Sequence, residues 1–372
     1  MELENLRKQI DEIDDGILEL FLRRMACAKQ VAETKREKGL PIFNEARERD
    51  ILDDVSKKAG EYGGQARILY SDLMAMSREA QHSLLGSGAP LRRAAQEASR
   101  RPPCRPRTVA CLGQKGSYSH EAAARLYYES DPVFFPDFPS IFAAVESGKA
   151  DLGMLPVENS TAGSVNEVYD LILKYRFSIV GAVSLPVRHC LASRETELSA
   201  VSVVYSHPQA LRQCAEYLKQ HGISGRECAS TTEAAARAVR ESGTAALCSE
   251  LAAADFRLNL LDRNVQDNGR NRTRFIAIGH TMFIPPKANK ISLCFAVPHR
   301  TGTLCTVLSR FAAAGLNLTK IESRPIPGRN FEYDFYLDFS GSAADAKTLD
   351  LLCALSEELP RFSFLGNYAE AE

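Results

Sequence analysis

Charge of one sign is scarce here: 46 lysines and arginines stand against 47 aspartates and glutamates in 372 residues, a net charge of −1. That balance gives no pull toward nucleic acid or an acidic membrane surface. No apolar run reaches the ~20 residues of a membrane span. The first residues, Met1-Glu2-Leu3-Glu4-Asn5, lack the basic and apolar stretches of a secretory signal. The ten cysteines form no C-x-x-C pair and do not cluster with histidine at zinc spacing. Most sit in apolar runs, where a free thiol behaves as a small hydrophobe. These absences predict a cytoplasmic protein with reduced thiols, no structural metal and no cofactor.

What is present is ordinary for a soluble protein, 45% hydrophobic and 25% charged residues, and long enough for two or three domains. Three textures follow one another. Residues 1–85 read as all helix, residues 107–284 alternate strand and helix, and residues 290–372 repeat strand–helix–strand twice. Residues 86–106, rich in Gly, Pro, Ala and Arg, carry no sustained apolar stripe and read as a linker. Pro285 to Asn289 forms a second, shorter joint.

In the first segment Leu3, Leu6, Ile10, Ile13, Ile17 and Leu20 make a heptad seam, so this helix should pack lengthwise against a partner helix. The seam runs on to position 24, which is Arg24, and resumes at Cys27 and Val31. Lys35 returns to nearly the same face, roughly 16 Å along the axis. A buried cation is costly unless paired, and two on one face can close on a small anion. A later helix, with Leu69, Leu73, Ala80 and Leu84 on its stripe, is interrupted by Ser77 and Gln81, an i,i+4 pair.

Through Leu6-Arg7, Arg23-Arg24, Lys35, Pro41, Arg47-Glu48-Arg49, Ser77 and Gln81 the segment resembles the all-helical chorismate mutase domain, an intertwined homodimer. The resemblance implies that Arg24, Lys35, Arg47, Glu48, Ser77 and Gln81 line one site and that Arg7 reaches into a partner's site. Asn44 falls where the family often has an acid, and its role is left open. The implied substrate, chorismate, is a dianion that rearranges internally. Such a reaction needs orientation and stabilisation of charge on the ether oxygen, not a nucleophile. Arginine forks suit the carboxylates. Lys35 and Gln81 would donate to the ether oxygen, and Glu48 would hold the ring hydroxyl.

In the middle segment, strands are expected at Thr108–Gly113, Leu152–Val157, Ile179–Val187, Val201–Ser206, Ala245–Ser249 and Phe275–Gly279. Several end in polar loops that open a helix, where open α/β sheets bind ligands. The loops are Gly113–Glu121, Pro156–Val165, Ser206–Gln209 leading to Gln213, and Asn268–Phe275. Through Glu158-Asn159-Ser160, Ser206-His207-Pro208-Gln209 and Thr273-Arg274-Phe275 this segment resembles prephenate dehydratase. The resemblance implies two α/β lobes of periplasmic-binding-protein type, residues 107–184 with the strand near 275 and residues 185–264. Asn159, Ser160, Thr161, Ser206, Gln213, Thr273 and Arg274 would face the cleft between them. Thr273 would assist departure of the ring hydroxyl as CO2 leaves, and Arg274 would bind the side-chain carboxylate or brace its loop. His120, His189 and His207 read as structural.

The last segment reads strand Ile291–Val297, helix Gly302–Ala314, strands Leu316–Pro325 and Phe331–Phe339, helix Ala343–Leu355 and strand Arg361–Tyr368, a ferredoxin-like order. It lacks a charged catalytic cluster, so binding is expected of it. With Gly302-Thr303-Leu304 opening the first helix and Glu322-Ser323-Arg324-Pro325 ending the second strand, it resembles an ACT regulatory domain. The resemblance implies phenylalanine as effector at a paired interface. Thr303 and Cys305 replace the alanine and valine usual in the helix-opening motif.

Together the segments predict a multidomain enzyme, a homodimer or larger, that takes chorismate through prephenate to phenylpyruvate under feedback by phenylalanine. The alternatives are a dehydratase whose mutase-like part only dimerises, and an amino-acid sensor without activity. Preference for arogenate over prephenate also stays open.

Overall fold

The structure, a computed structural model, describes residues 2–101, 105–326, 328–329 and 331–371. Cys104 lies outside them. Two compact units form, Met1–Arg100 with Lys290–Phe364, and Arg101–Asn289 with Leu365–Glu372.

The first helix, α1 (Glu2–Lys38), carries Glu2 and Glu4 in its first turn and Lys35, Arg36 and Lys38 in its last, signs that complement the helix dipole. Asn44 opens α2 (Glu45–Lys58) by accepting the Arg47 N–H at 3.0 Å. The third helix, α3 (Gly63–Leu85), stops at Gly86, whose φ of 62° is left-handed. Ala28 and Ala32 of α1 are buried. In contrast, Leu3, Leu6, Ile10, Ile13, Ile17 and Leu20 are all more than half exposed, so the heptad seam is uncovered within the chain.

The expected linker is in large part a helix, α4 (Ala89–Arg100). Its buried residues, Ala95 and Ala98, are too small to raise the hydropathy of the stretch, yet they permit close packing. Gly88 shows how close: a Cβ there would lie 2.4 Å from Cys353 Cβ, and its φ of 71° disfavours any side chain.

In the second unit, β1 (Thr108–Leu112), β2 (Asp131–Phe135), β3 (Leu152–Asn159), β4 (Gly163–Ser164) and β5 (Ser178–Pro186) belong to one sheet. Helices α5 (Tyr118–Leu126), α6 (Phe138–Glu146) and α7 (Asn166–Tyr175) alternate with them. A second sheet holds β6 (Cys190–Ser193), β7 (Val203–Ser206), β8 (Ser224–Glu227), β9 (Thr244–Cys248) and β10 (Asn259–Arg263), in the order β10-β6-β9-β7-β8. With it come α8 (Pro208–Gln213), α9 (Ala215–Gln220), α10 (Thr231–Arg240) and α11 (Glu250–Asp255). The chain then returns to the first sheet as β11 (Arg272–Gly279), antiparallel to both β3 and β5. Each sheet has its own apolar core, Val109, Met154, Val183 and Phe275 in one and Ala192, Ala235, Ala246 and Leu258 in the other. This is the expected two-lobed α/β arrangement. The strands that sequence reasoning missed include β2 and β8, edge strands of their sheets with little buried surface.

The C-terminal elements are β12 (Lys290–Ala296), α12 (Thr303–Ala313), β13 (Asn317–Pro325), β14 (Tyr333–Ser340), α13 (Ala346–Glu358) and β15 (Ser363–Tyr368), in sheet order β13-β14-β12-β15. Asp345 caps α13 by accepting the Thr348 N–H at 2.8 Å. The core of Leu293, Phe295, Phe311, Phe339 and Leu352 is supplemented by Leu91 of α4. A last short strand, β16 (Glu370–Ala371), pairs with β5 in the dehydratase-like sheet. The final residues thus belong to the second unit.

Candidate active sites

In the first unit, α1, α2 and α3 bring charged and polar groups together. Arg24 on α1 donates to the Leu73 carbonyl at 2.7 Å and to the Ser77 hydroxyl on α3. Gln81 donates from Nε2 to the Ser77 carbonyl at 3.2 Å, while its buried Oε1 has no hydrogen-bond partner among the described residues. Lys35 donates to the Ile42 carbonyl. Burial lowers the Lys35 pKa from the ordinary lysine value, Glu48 opposes that shift, and Arg78 adds to it. Both carboxylate oxygens of Glu48, on α2, accept from one Arg78 nitrogen.

Other expected members lie outside this cluster. Arg7 and Arg47 are exposed, and Asn44 is engaged in capping α2. Arg78 was not singled out by sequence reasoning, although it is only 9% exposed. It lies one position off the polar stripe of α3, on a face whose partners come from the far end of the chain.

In the second unit a cavity of about 450 Å³ is lined by Thr161, Gln209, Arg212, Gln213, Asp267 and Asn271, among others. Beside it lies a network of neutral groups centred on Asn159. The Asn159 Oδ1 accepts the Thr161 and Ala162 N–H groups at 3.0 and 2.9 Å, which fixes its amide orientation. Its Nδ2 then donates to Thr273 Oγ1 and to Asn271 Oδ1, both at 2.8 Å. Thr273 therefore accepts from Asn159 and keeps its own proton available. Thr161 also donates to Asn271 Oδ1, at 3.2 Å.

Gln213 Oε1 meets His189 Nε2 at 3.0 Å, and His189 Nδ1 stands 3.4 Å from the Tyr118 hydroxyl. Burial lowers the His189 pKa, with Gln213 opposing, which favours a neutral imidazole in a bracing role. Ser160 Oγ accepts the Arg272 N–H at 2.9 Å.

Two expected cleft residues are placed elsewhere. Ser206 is fully buried and donates to the Leu247 carbonyl at 2.7 Å, tying β7 to β9. Arg274 follows Thr273 on β11, so the two side chains leave the sheet on opposite faces. It donates to the Tyr368 hydroxyl at 2.6 Å and pairs with Glu370 at 2.6 Å, bracing the C-terminal tail. Arg212, which sequence reasoning did not single out, lines the cavity.

In the C-terminal segment a smaller cavity, about 240 Å³, opens at the start of α12. Gly302, Thr303 and Leu304 line it, facing Tyr333 and Phe335 of β14. The expected companions Glu322, Ser323, Arg324 and Pro325 lie on β13, an edge of its sheet, and are not among the residues that line this cavity.

A cation-bearing helical cluster, a two-lobed α/β unit with a polar cavity and a ferredoxin-like unit define a multidomain protein with separate sites for small polar molecules. Residues 6–82 match the family described as chorismate mutase type II, and residues 109–282 match the family described as prephenate dehydratase. A bifunctional chorismate mutase/prephenate dehydratase of Aquifex aeolicus (strain VF5) is 33% identical over 374 residues, covering 100% of this chain and 98% of the relative. An arogenate dehydratase/prephenate dehydratase 6 of Arabidopsis thaliana, chloroplastic, is 38% identical over 281 residues, covering 70% of this chain and 68% of the relative. A crystal structure of prephenate dehydratase from Arthrobacter aurescens in complex with L-Phe superposes with a TM-score of 0.65 at 30% identity, covering 71% of this chain and 90% of that one. The chain belongs to the bifunctional chorismate mutase/prephenate dehydratase family. It is an enzyme with these two activities. Among the described residues no helix is long and apolar enough to cross a membrane.

Proposed function

We propose that Arg24, Lys35, Glu48, Ser77 and Gln81 hold chorismate in its compact conformer while the C–O bond breaks. Arg24 and Ser77 bind carboxylate, with Arg47 at the rim. Lys35 and Gln81 donate to the ether oxygen, where negative charge develops, and Glu48 accepts from the ring hydroxyl. The observation that carries this reading is the convergence of Arg24 and Ser77 beside Gln81, whose Nε2 gives one hydrogen to the Ser77 carbonyl and has a second to donate. Arg7 completes the site of a second copy, and the bare seam of α1 is the surface that pairs two chains. The enzyme is a cytoplasmic homodimer or larger assembly.

In the α/β cleft, prephenate loses its ring carboxylate as CO2 and its ring hydroxyl as water, and aromatisation drives both. Thr273 donates its free proton to the departing hydroxyl, with Asn159 supporting the threonine oxygen. Arg212 binds a substrate carboxylate, and Thr161 and Gln213 shape the cavity. Asn271 supports the same network. Ser160, Ser206 and Arg274 serve the scaffold.

Phenylalanine binds at the start of α12 and restrains flux. The Arthrobacter protein holding L-Phe and the cavity at Gly302–Leu304 support this. Glu322 to Pro325, on an open sheet edge, complete the site when two C-terminal segments pair. Because β16 belongs to the dehydratase sheet, deletion of residues 290–372 would damage that unit. A Gly302→Val substitution is therefore the cleaner test of inhibition. A second reading, arogenate as cleft substrate, is favoured by the plant relative.

The deciding assay supplies chorismate, prephenate and arogenate separately, with and without phenylalanine, and follows all species by chromatography. Phenylpyruvate from the first two, suppressed by phenylalanine, is expected. Product from prephenate alone would leave the helical segment as a dimerisation element. Faster turnover of arogenate would reassign the cleft.

A further inference from the structure

Where α3 packs on α12 and α13, the first unit buries Arg78, Glu358, Arg310 and His82, charged or titratable groups to which the two reactions above assign no role. The centre of this set is Arg78. Its Nη1 donates to both oxygens of the Glu48 carboxylate, and Nε donates to Glu358 Oε2 of α13 at 2.9 Å. Glu358 also accepts from Arg310 of α12 at 3.1 Å and stands 3.1 Å from His82 Nε2. The ring of Phe43 lies under the Arg78 guanidinium, 5.1 Å from its centroid. Arg78, Arg310 and His82 are each less than a tenth exposed.

An interface that needed only to stick would be served as well by apolar residues at these positions, because burying ions is costly. What an ionic arrangement adds is geometry. A guanidinium clamped between two carboxylates fixes the direction of both. One of them, Glu48, is the group proposed above to hold the substrate's ring hydroxyl, and the inference rests on that reading.

We infer that Arg78 is a positioning residue of the mutase reaction, aligning Glu48, and that Glu358 of the C-terminal segment holds Arg78 in place. The regulatory segment is thereby part of the mutase site's support. The link runs from Glu358 through Arg78 to Glu48, every contact direct.

The test is mutase kinetics on the full chain for Arg78→Met, Arg78→Lys, Glu358→Gln, Glu48→Gln and the Arg78→Met/Glu48→Gln double variant. The helical circular dichroism and melting midpoint of each protein report the folding of the first unit, and dehydration of added prephenate reports that of the second. Arg78→Met should lower mutase kcat/KM about tenfold or more. Arg78→Lys should recover part of that loss, and Glu358→Gln should fall between the parent and Arg78→Met. The double variant should match Glu48→Gln within about twofold, because a residue acting only through Glu48 has nothing left to act on.

Parent-like turnover in Arg78→Met, or losses that multiply in the double variant, would overturn the inference. Parent-like turnover in Glu48→Gln would instead overturn the assignment of Glu48 itself. If Arg78→Met folds poorly, Arg78→Lys and Glu358→Gln decide: mutase loss with parent-like helical circular dichroism and melting supports the link, and parent-like mutase turnover in both overturns it.

Discussion

The helical cluster and the α/β cleft solve different chemical problems with different materials. The helical cluster is ionic: Arg24, Lys35, Glu48 and Arg78, drawn from three helices and partly buried. The cleft's inner network is neutral, an amide–hydroxyl web of Asn159, Thr161, Asn271 and Thr273 on strands and loops that meet through one sheet. An internal rearrangement of a dianion moves no proton, so fixed positive charge is what it requires. Loss of water does move a proton, and a hydroxyl supported by an amide can supply it late, without a group that titrates near neutrality. On the proposed mechanism His189, which burial favours in its neutral form, needs only to brace the cleft through Gln213.

The sharpest way to break this comparison is Thr273→Ala. It should cut phenylpyruvate formation from prephenate by about 10²-fold or more, as loss of a donor to developing charge does. Mutase turnover should stay at the parent's value in the same preparation. Thr273→Ser should retain much of the activity, since only the proton is needed. Full dehydration by Thr273→Ala would remove the neutral-donor account.

Arg212→Ala tests whether the cleft borrows any fixed charge. Its KM for prephenate should rise about tenfold with kcat little changed, the pattern of binding lost equally from ground and transition states. An unchanged KM would mean that the carboxylate is bound elsewhere.

The pH dependence should also separate the regions. In the proposed reaction Lys35 acts as a cation, and burial lowers its pKa below the ordinary lysine value. Deprotonation therefore sets in at lower pH than for a free lysine, and mutase turnover should fall on the alkaline side before a lysine would normally titrate. Lys35→Arg, if active, should lose that fall, because arginine keeps its proton. The smallest effect is expected from Gly88→Ala, which crowds Cys353 and strains the turn into α4. It should cost about 1–3 kcal/mol, seen as a lowered melting midpoint of the first unit.

Much of the helical site could be read from the sequence because polar residues broke an apolar period. Arg24, Ser77 and Gln81 each stand where a heptad or stripe calls for a hydrophobe, and Lys35 returns to nearly the face of Arg24. The two-lobed fold was legible from strands followed by polar loops, and the C-terminal unit from its βαββαβ order. Apart from the exposed edge strands β2 and β8, what escaped had a common cause: its partner lies far along the chain. Arg78 breaks no period, and its meaning comes from Glu358. The α4 helix hides behind alanines whose burial depends on α13. Arg274 sits in the most recognisable motif of the cleft, yet the last residues, Tyr368 and Glu370, turn it to bracing. Periodicity reports which face is buried, not what covers it.

The central claim is that two separate sites of opposite character act in one chain, and the Arg24→Ala protein tests it most directly when chorismate and prephenate are supplied side by side. The account predicts that phenylpyruvate from chorismate nearly disappears while phenylpyruvate from added prephenate stays within about twofold of the parent. Loss of both in a protein that keeps its parent melting behaviour would contradict it.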